Sequence, residues 1–249
     1  MKQATLLSLL LIFSATLTHA QRSPFRKGYT RLGIQTIGCS LDHSISPGDN
    51  ILKGNTGAGI GFVLEKGHVF YFIPSSKARL INAGIDWTIF SITYNSSVKA
   101  WKDYSAVNSG LSADDFTAKL IGSISTKIGP VVSVNPVQDL VIDLRVQASL
   151  GAYFVGPMYE PLNNNEDYFY PYNDDADQTG FKKFTQYLST TGIKPNIGLT
   201  ARWRGIGLAA DYSPGKVNMK YTEGNNNVET TGNAKVSLNS MQAKLSLTF

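Results

Sequence analysis

Apolar and polar residues alternate with period two through most of the chain, most plainly from Asp139 to Val155. Leu140, Ile142, Leu144, Val146, Ala148, Leu150, Ala152 and Phe154 fall on one face, and Val141, Asp143, Arg145, Gln147, Ser149, Gly151 and Tyr153 on the other. Successive side chains of a strand point to opposite faces, so this pattern predicts strand and not helix. The end of the chain repeats it, with Met241, Ala243, Leu245, Leu247 and Phe249 set against Ser240, Gln242, Lys244, Ser246 and Thr248. Read throughout, the alternation predicts eight strands over about 29–41, 56–73, 79–95, 116–128, 139–155, 190–203, 205–222 and 234–249. A slip near Thr36 and Ile37 calls for a β-bulge. Lys66-Gly67 interrupts the second strand, and the alternative is ten strands with Val69 to Ile73 forming the return of an extra hairpin.

The predicted connections alternate in length. Pro74 to Ala78, Asn135-Pro136-Val137-Gln138 and Arg204-Gly205 are short, whereas the segments near 42–55, 96–115, 156–189 and 223–233 are long and rich in Asn, Asp, Ser, Gly and Tyr. Outer-membrane barrels have short turns at the periplasmic end and long loops outside. A soluble barrel would also alternate, so the charges decide between the two. Arg31, Glu65, Asp86, Lys119, Asp143, Arg145, Lys194, Arg202, Asp211 and Lys244 all fall on the polar face, and the apolar face is nearly free of charge. Lipid demands such a face, because a charge there costs up to ~4 kcal/mol at the bilayer midplane. The expected fold is all-β: a closed antiparallel up-and-down transmembrane β-barrel of eight strands.

Export fits this picture. Lys2, the apolar run Leu6 to Phe13 and the small residues around Ala20 read as a cleaved signal peptide over 1–20, leaving 21–249 as the barrel domain. The run is shorter than the roughly 20 residues a membrane-crossing helix needs. Without Lys2 the 23 Lys and Arg become 22, against 18 Asp and Glu. They are spread singly among acidic residues, whereas a nucleic-acid binder gathers them in one patch, so no nucleic-acid partner is expected. The lone Cys39 has no partner for an intramolecular disulfide.

The closing segment Leu245-Ser246-Leu247-Thr248-Phe249 and the stretch from Gly129-Pro130 through Asn135-Pro136 into Asp139-Leu140 resemble the small outer-membrane barrels of the OmpA and OmpX type, and more closely those common in Bacteroidota. The resemblance implies a Gram-negative outer-membrane location, with outer-membrane lipid as solvent and the barrel-assembly machinery reading Leu245, Leu247 and Phe249. Where that terminal signal usually has Gly, this chain has Lys244. The resemblance brings no catalytic residues with it.

Chemistry-bearing residues are few. An eight-stranded barrel is just wide enough for side chains to fill, so Arg31, Glu65, Asp86, Lys119, Asp143, Arg145, Arg202, Asp211 and Lys244 are expected to plug the lumen as a polar network. His43, beside Asp42, Ser44 and Ser46, is the nearest approach to a hydrolase set, yet neighbours in sequence point apart. His68 reads as interfacial, and Trp87, Trp101 and Trp203 as aromatic girdles. The 156–189 segment interleaves acidic and aromatic residues, among them Tyr159, Glu160, Asp167, Tyr168, Tyr170, Tyr172, Asp174, Asp175 and Asp177. It is the candidate recognition loop for a protein or ligand. The expectation is a non-enzymatic barrel without cofactor or metal, serving surface recognition or envelope structure. The alternatives are a narrow porin-like channel for small solutes and a barrel enzyme acting on lipid.

Overall fold

Inside-outside alternation holds residue by residue along the strand Leu140–Val155, where Asp143, Arg145, Gln147 and Ser149 are buried and Ile142, Leu144, Val146 and Leu150 are exposed. A computed structural model describes residues 24–74, 80–108, 110–117, 119–161, 167–171, 190–225 and 228–249. In chain order the elements are β1 (Gly28–Ile37), α1 (Pro47–Lys53), β2 (Gly61–Tyr71), β3 (Ile81–Ser96), α2 (Val98–Val107), a 3-10 turn (Ala113–Asp115), β4 (Phe116–Thr117) and β5 (Leu120–Val137). Then follow β6 (Leu140–Val155), β7 (Met158–Tyr159), β8 (Tyr168–Tyr170), β9 (Thr190–Trp203), β10 (Ile206–Ser213), β11 (Lys216–Asn225), β12 (Val228–Ser237) and β13 (Ser240–Thr248).

Eight of these strands close into an antiparallel barrel in the order β1-β13-β10-β9-β6-β5-β3-β2, with β1 pairing both β13 and β2. Closure removes the free edges an open sheet would expose. Ten strands are excluded, since β2 runs unbroken to Tyr71 and absorbs Lys66-Gly67 as a bulge against β3. The expected bulge at Thr36-Ile37 does not occur: β1 keeps register with β13 up to Ile37, and Gly38 (φ 71°) then turns the chain away. The β5–β6 turn also lies later than expected. Asn135 and Pro136 belong to β5, and Gln138-Asp139 forms the loop. Asp139 (φ 67°) and Arg204 (φ 56°) occupy the left-handed region in the two-residue turns β5–β6 and β9–β10, joined by an Arg204 Nε to Asp139 Oδ2 contact of 3.3 Å.

Among the described residues the long connections carry secondary structure of their own. Strands β12, β11, β8, β7 and β4 form a second sheet at the end of the barrel opposite the short turns, and α1 and α2 lie with it. The predicted seventh strand therefore divides: its barrel part ends at Ser213, and Pro214-Gly215 leads into β11 of this cap. The cap has its own core of Ile51, Trp101, Tyr104, Phe116, Phe169, Val217, Met219, Val236 and Leu238, resting on the rim residues Ile37, Ile121, Tyr153 and Val155. Trp101 is 0% exposed with its ring 4.7 Å from that of Phe116, so it is a cap residue and not part of a girdle. Trp87 and Trp203 do point outward.

Local sequence explains the helices. Ser46 caps α1 by accepting from Asp49 N, Pro47 stands at its start, and Gly54 ends it at φ 84°. In α2 the buried residues Trp101, Tyr104 and Ser105 share one face at helical spacing. At the opposite end of the barrel the segment before β1 forms a stopper: Phe25 is fully buried against Val141 and Tyr71, and Arg202 Nη1 donates to Pro24 O at 3.1 Å.

Candidate functional site

The polar network fills the lumen, and the register of the strands builds it. Glu65 lies near the centre of the network, accepting from Lys127 Nζ at 2.6 Å, Lys244 Nζ at 2.7 Å and Ser91 Oγ at 3.2 Å, with Arg31 Nη1 at 3.9 Å. Lys244 also pairs with Asp211, which receives Arg145 Nη2 from another side. These long side chains need space, and inward-facing glycines supply it. Arg145 stands opposite Gly198 and Lys244 opposite Gly33, where a Cβ would collide with the basic side chain in each case.

A second cluster lies toward the short turns. Arg202 Nε donates to Asp143 Oδ2 at 3.1 Å, and Ser133 Oγ donates to the other oxygen of Asp143 at 2.6 Å. Tyr29 OH donates to Asp86 Oδ1 at 2.7 Å, and the Arg31 guanidinium lies 3.7 Å from the Tyr29 ring centre. Toward the cap, amide and hydroxyl pairs join the network: Gln242 donates to Gln35, Gln35 to Asn95, and Ser213 to Asn196. Buried charges persist when they are paired and hydrogen-bonded, and this lattice meets that condition at most positions.

Arg31, Glu65, Asp86, Asp143, Arg145, Arg202, Asp211 and Lys244 are thus brought together. Lys119 is not. It precedes β5 at the cap, where its ammonium donates to Ala113 O at 2.5 Å, because the strand it was assigned to begins one residue later. Lys127 was missed, although its parity with Ser123 and Ser125 marks it as inward-facing. Among the described residues the lumen holds a cavity of about 20 Å³, room for roughly one water. A larger hollow of about 390 Å³ opens at the rim, lined by Thr36, Cys39, His43, Gly57 and Asp103 among others.

His43 stacks on Tyr104, with ring centres 5.4 Å apart. Ser44 and Ser46 serve local structure: Ser44 Oγ donates to Asp42 at 2.6 Å and Ser46 caps α1. Those bonds from Ser44 hold the Asp42 carboxyl below the usual carboxylate range. Among the described residues no group of His, Cys, Asp and Glu could hold a metal.

Of the candidate recognition residues, Tyr159 packs against Phe116 at 5.3 Å, Glu160 N donates to Asp115 O, and Tyr168 OH donates to Glu229 at 2.7 Å beside Tyr170. Asp167 contributes to the field at Glu223, whose carboxyl is pushed up first by burial and then by Asp49 and Asp167. Tyr172, Asp174, Asp175 and Asp177 lie outside the described residues, as does the segment 1–20. Leu245 and Phe249 point outward from the last strand with Leu247 half-buried between them, and Phe249 exchanges backbone hydrogen bonds with Gly28 of β1. No family model matches the chain, and comparison with curated proteins finds no match in sequence.

Proposed function

We propose that this chain is an integral outer-membrane β-barrel of a Gram-negative bacterium, of the OmpA/OmpX-like kind, with a filled lumen and a structural or surface-recognition role carried by its cap. The observation that supports this most is the polarity of the wall. Leu32, Ile34, Ile124, Leu144, Leu199, Leu208 and Leu245 point outward, Leu208 with 70% of its surface exposed, while the charges point inward. Among the described residues of the eight strands, Lys66 of β2 is the one exposed charge.

Left in water, each such side chain would forgo about 1.5–3 kcal/mol of burial. Around the whole wall that exceeds the roughly 5–15 kcal/mol by which folded domains are stable. Lipid removes the difficulty. The filled lumen favours a structural barrel over a channel, and with the hydroxyls beside His43 committed to turn and cap bonds we read the chain as non-enzymatic. On this reading Leu245, Leu247 and Phe249 face the assembly machinery during insertion, and the acidic and aromatic cap meets a protein or ligand outside the cell.

Membrane fractionation tests the reading. The protein should sediment with the outer membrane and migrate differently before and after boiling in detergent. Recovery as a soluble monomer would contradict it.

A further inference from the structure

Lys127 of β5, Ser149 of β6 and Lys194 of β9 stand opposite one another across adjacent strands. All three point inward and are buried. Strands are spaced about 4.8 Å apart, so two ammonium-bearing positions flank one hydroxyl along a single arc of the wall. The next row toward the cap is Ser125, Gly151 and Gly192, with Val217 of the cap lying over Gly192. Beside this arc lies a polar chamber of about 20 Å³, lined by Lys127, Ser149, Lys194, Ser125, Ser240 and Tyr153 among others.

Charge around the chamber is not balanced. Among the described residues the buried inward-facing cations are Arg31, Lys127, Arg145, Lys194, Arg202 and Lys244, against the anions Glu65, Asp86, Asp143 and Asp211. Lys127 has Glu65 at 2.6 Å. Lys194 is different. It is 2% exposed, donates to the Leu238 carbonyl, lies 5.1 Å from the Tyr153 ring centre, and forms no ion pair with any carboxylate among the described residues. A carbonyl and a ring face offset only part of the cost of a buried ammonium, which is several kcal/mol.

We propose that the chamber between Lys127 and Lys194 is a binding site for a small monatomic anion of the halide class. The Lys194 ammonium supplies the unpaired charge, and the Ser149 and Ser125 hydroxyls can turn their protons toward the ion. The space is small, with room for about one water, which favours a single monatomic ion over the larger sulfate or phosphate. The anion offsets one of the two excess cations, the nearby Glu65 and Asp211 being already engaged with other cations.

Thermal unfolding of the full-length protein, titrated with chloride, bromide or sulfate at constant ionic strength made up with gluconate, tests the site. Chloride and bromide should raise Tm saturably, by about 2–4 °C when the site is well filled, and sulfate should not. Lys194→Met should abolish the halide response. Should that variant fail to fold, crystals of the wild-type protein in bromide give an independent measure: an anomalous peak within hydrogen-bonding distance of Lys194 Nζ and Ser149 Oγ is expected. Equal Tm in chloride, sulfate and gluconate, or no bromide in the chamber, overturns the proposal.

Discussion

Arg145 of β6 stands directly opposite Gly198 of β9, and its guanidinium passes over that glycine to reach Asp211 of β10. A cation on one strand and an anion two strands away are joined because the residue between them has no side chain. Their partnership depends on register as much as on charge.

Adding a single methyl group should therefore disturb the lattice. Gly198→Ala is expected to destabilise the barrel by about 1–3 kcal/mol through overpacking. Asp211→Ala should cost more, about 3–5 kcal/mol, because it leaves Arg145 and Lys244 without a shared partner. Urea unfolding of the two variants and the wild type in the same lipid checks both values. Losses below about 0.5 kcal/mol would mean that the lumen network contributes little.

The cap and the barrel should separate experimentally. Phe169 of β8 is buried in the cap core and stacks on Tyr221 with ring centres 5.6 Å apart. Phe169→Ala should loosen the cap, shifting Trp101 emission to the red and opening the 38–60 connection to protease, at a local cost of about 3–5 kcal/mol. Heat-modifiability should be unchanged, because the barrel ladders do not include β8. If boiling no longer changes the mobility of the variant, cap and barrel fold as one unit.

Acidity should tighten the cap. Glu223 has a raised native pKa, so the folded cap holds that proton more firmly than the unfolded chain does. This contribution is fully present below the ordinary glutamate pKa of about 4.3 and is lost as pH rises through the raised native value. Melting of the cap, followed by tryptophan emission, should therefore move to lower temperature as pH rises across that window. Glu223→Gln should flatten the trend, and a variant with the wild-type pH dependence would assign it to other groups.

The barrel was legible in the sequence and the cap was not, for a physical reason. Along Leu140–Val155 each residue meets one of two opposite environments, so period two is written into the residues themselves. The cap sheet is built from distant segments, pairing Thr117 with Met158 and Glu223 with Phe169, and its strands β4, β7 and β8, of two or three residues, leave no periodic trace. Trp101, Tyr104 and Ser105 did carry a helical spacing, but over too few turns to stand out. Within the lumen, parity identified Arg145 and Asp211 but not who pairs with whom, since crossing over Gly198 is a property of three strands together. Lys119 shows the opposite failure: parity continued through a strand boundary that a single sequence does not mark.

The proposed outer-membrane location requires the outward face of the barrel to meet lipid. Single cysteines placed at Leu144, Val146 and Leu245, and at the inward-facing Ser133, Gln147 and Ser149, in a chain carrying Cys39→Ser, can be exposed to a membrane-dissolved thiol reagent in intact outer membranes. The account predicts that the first three react and the second three do not. Reaction at the inward set with protection of Leu144, Val146 and Leu245 would contradict it.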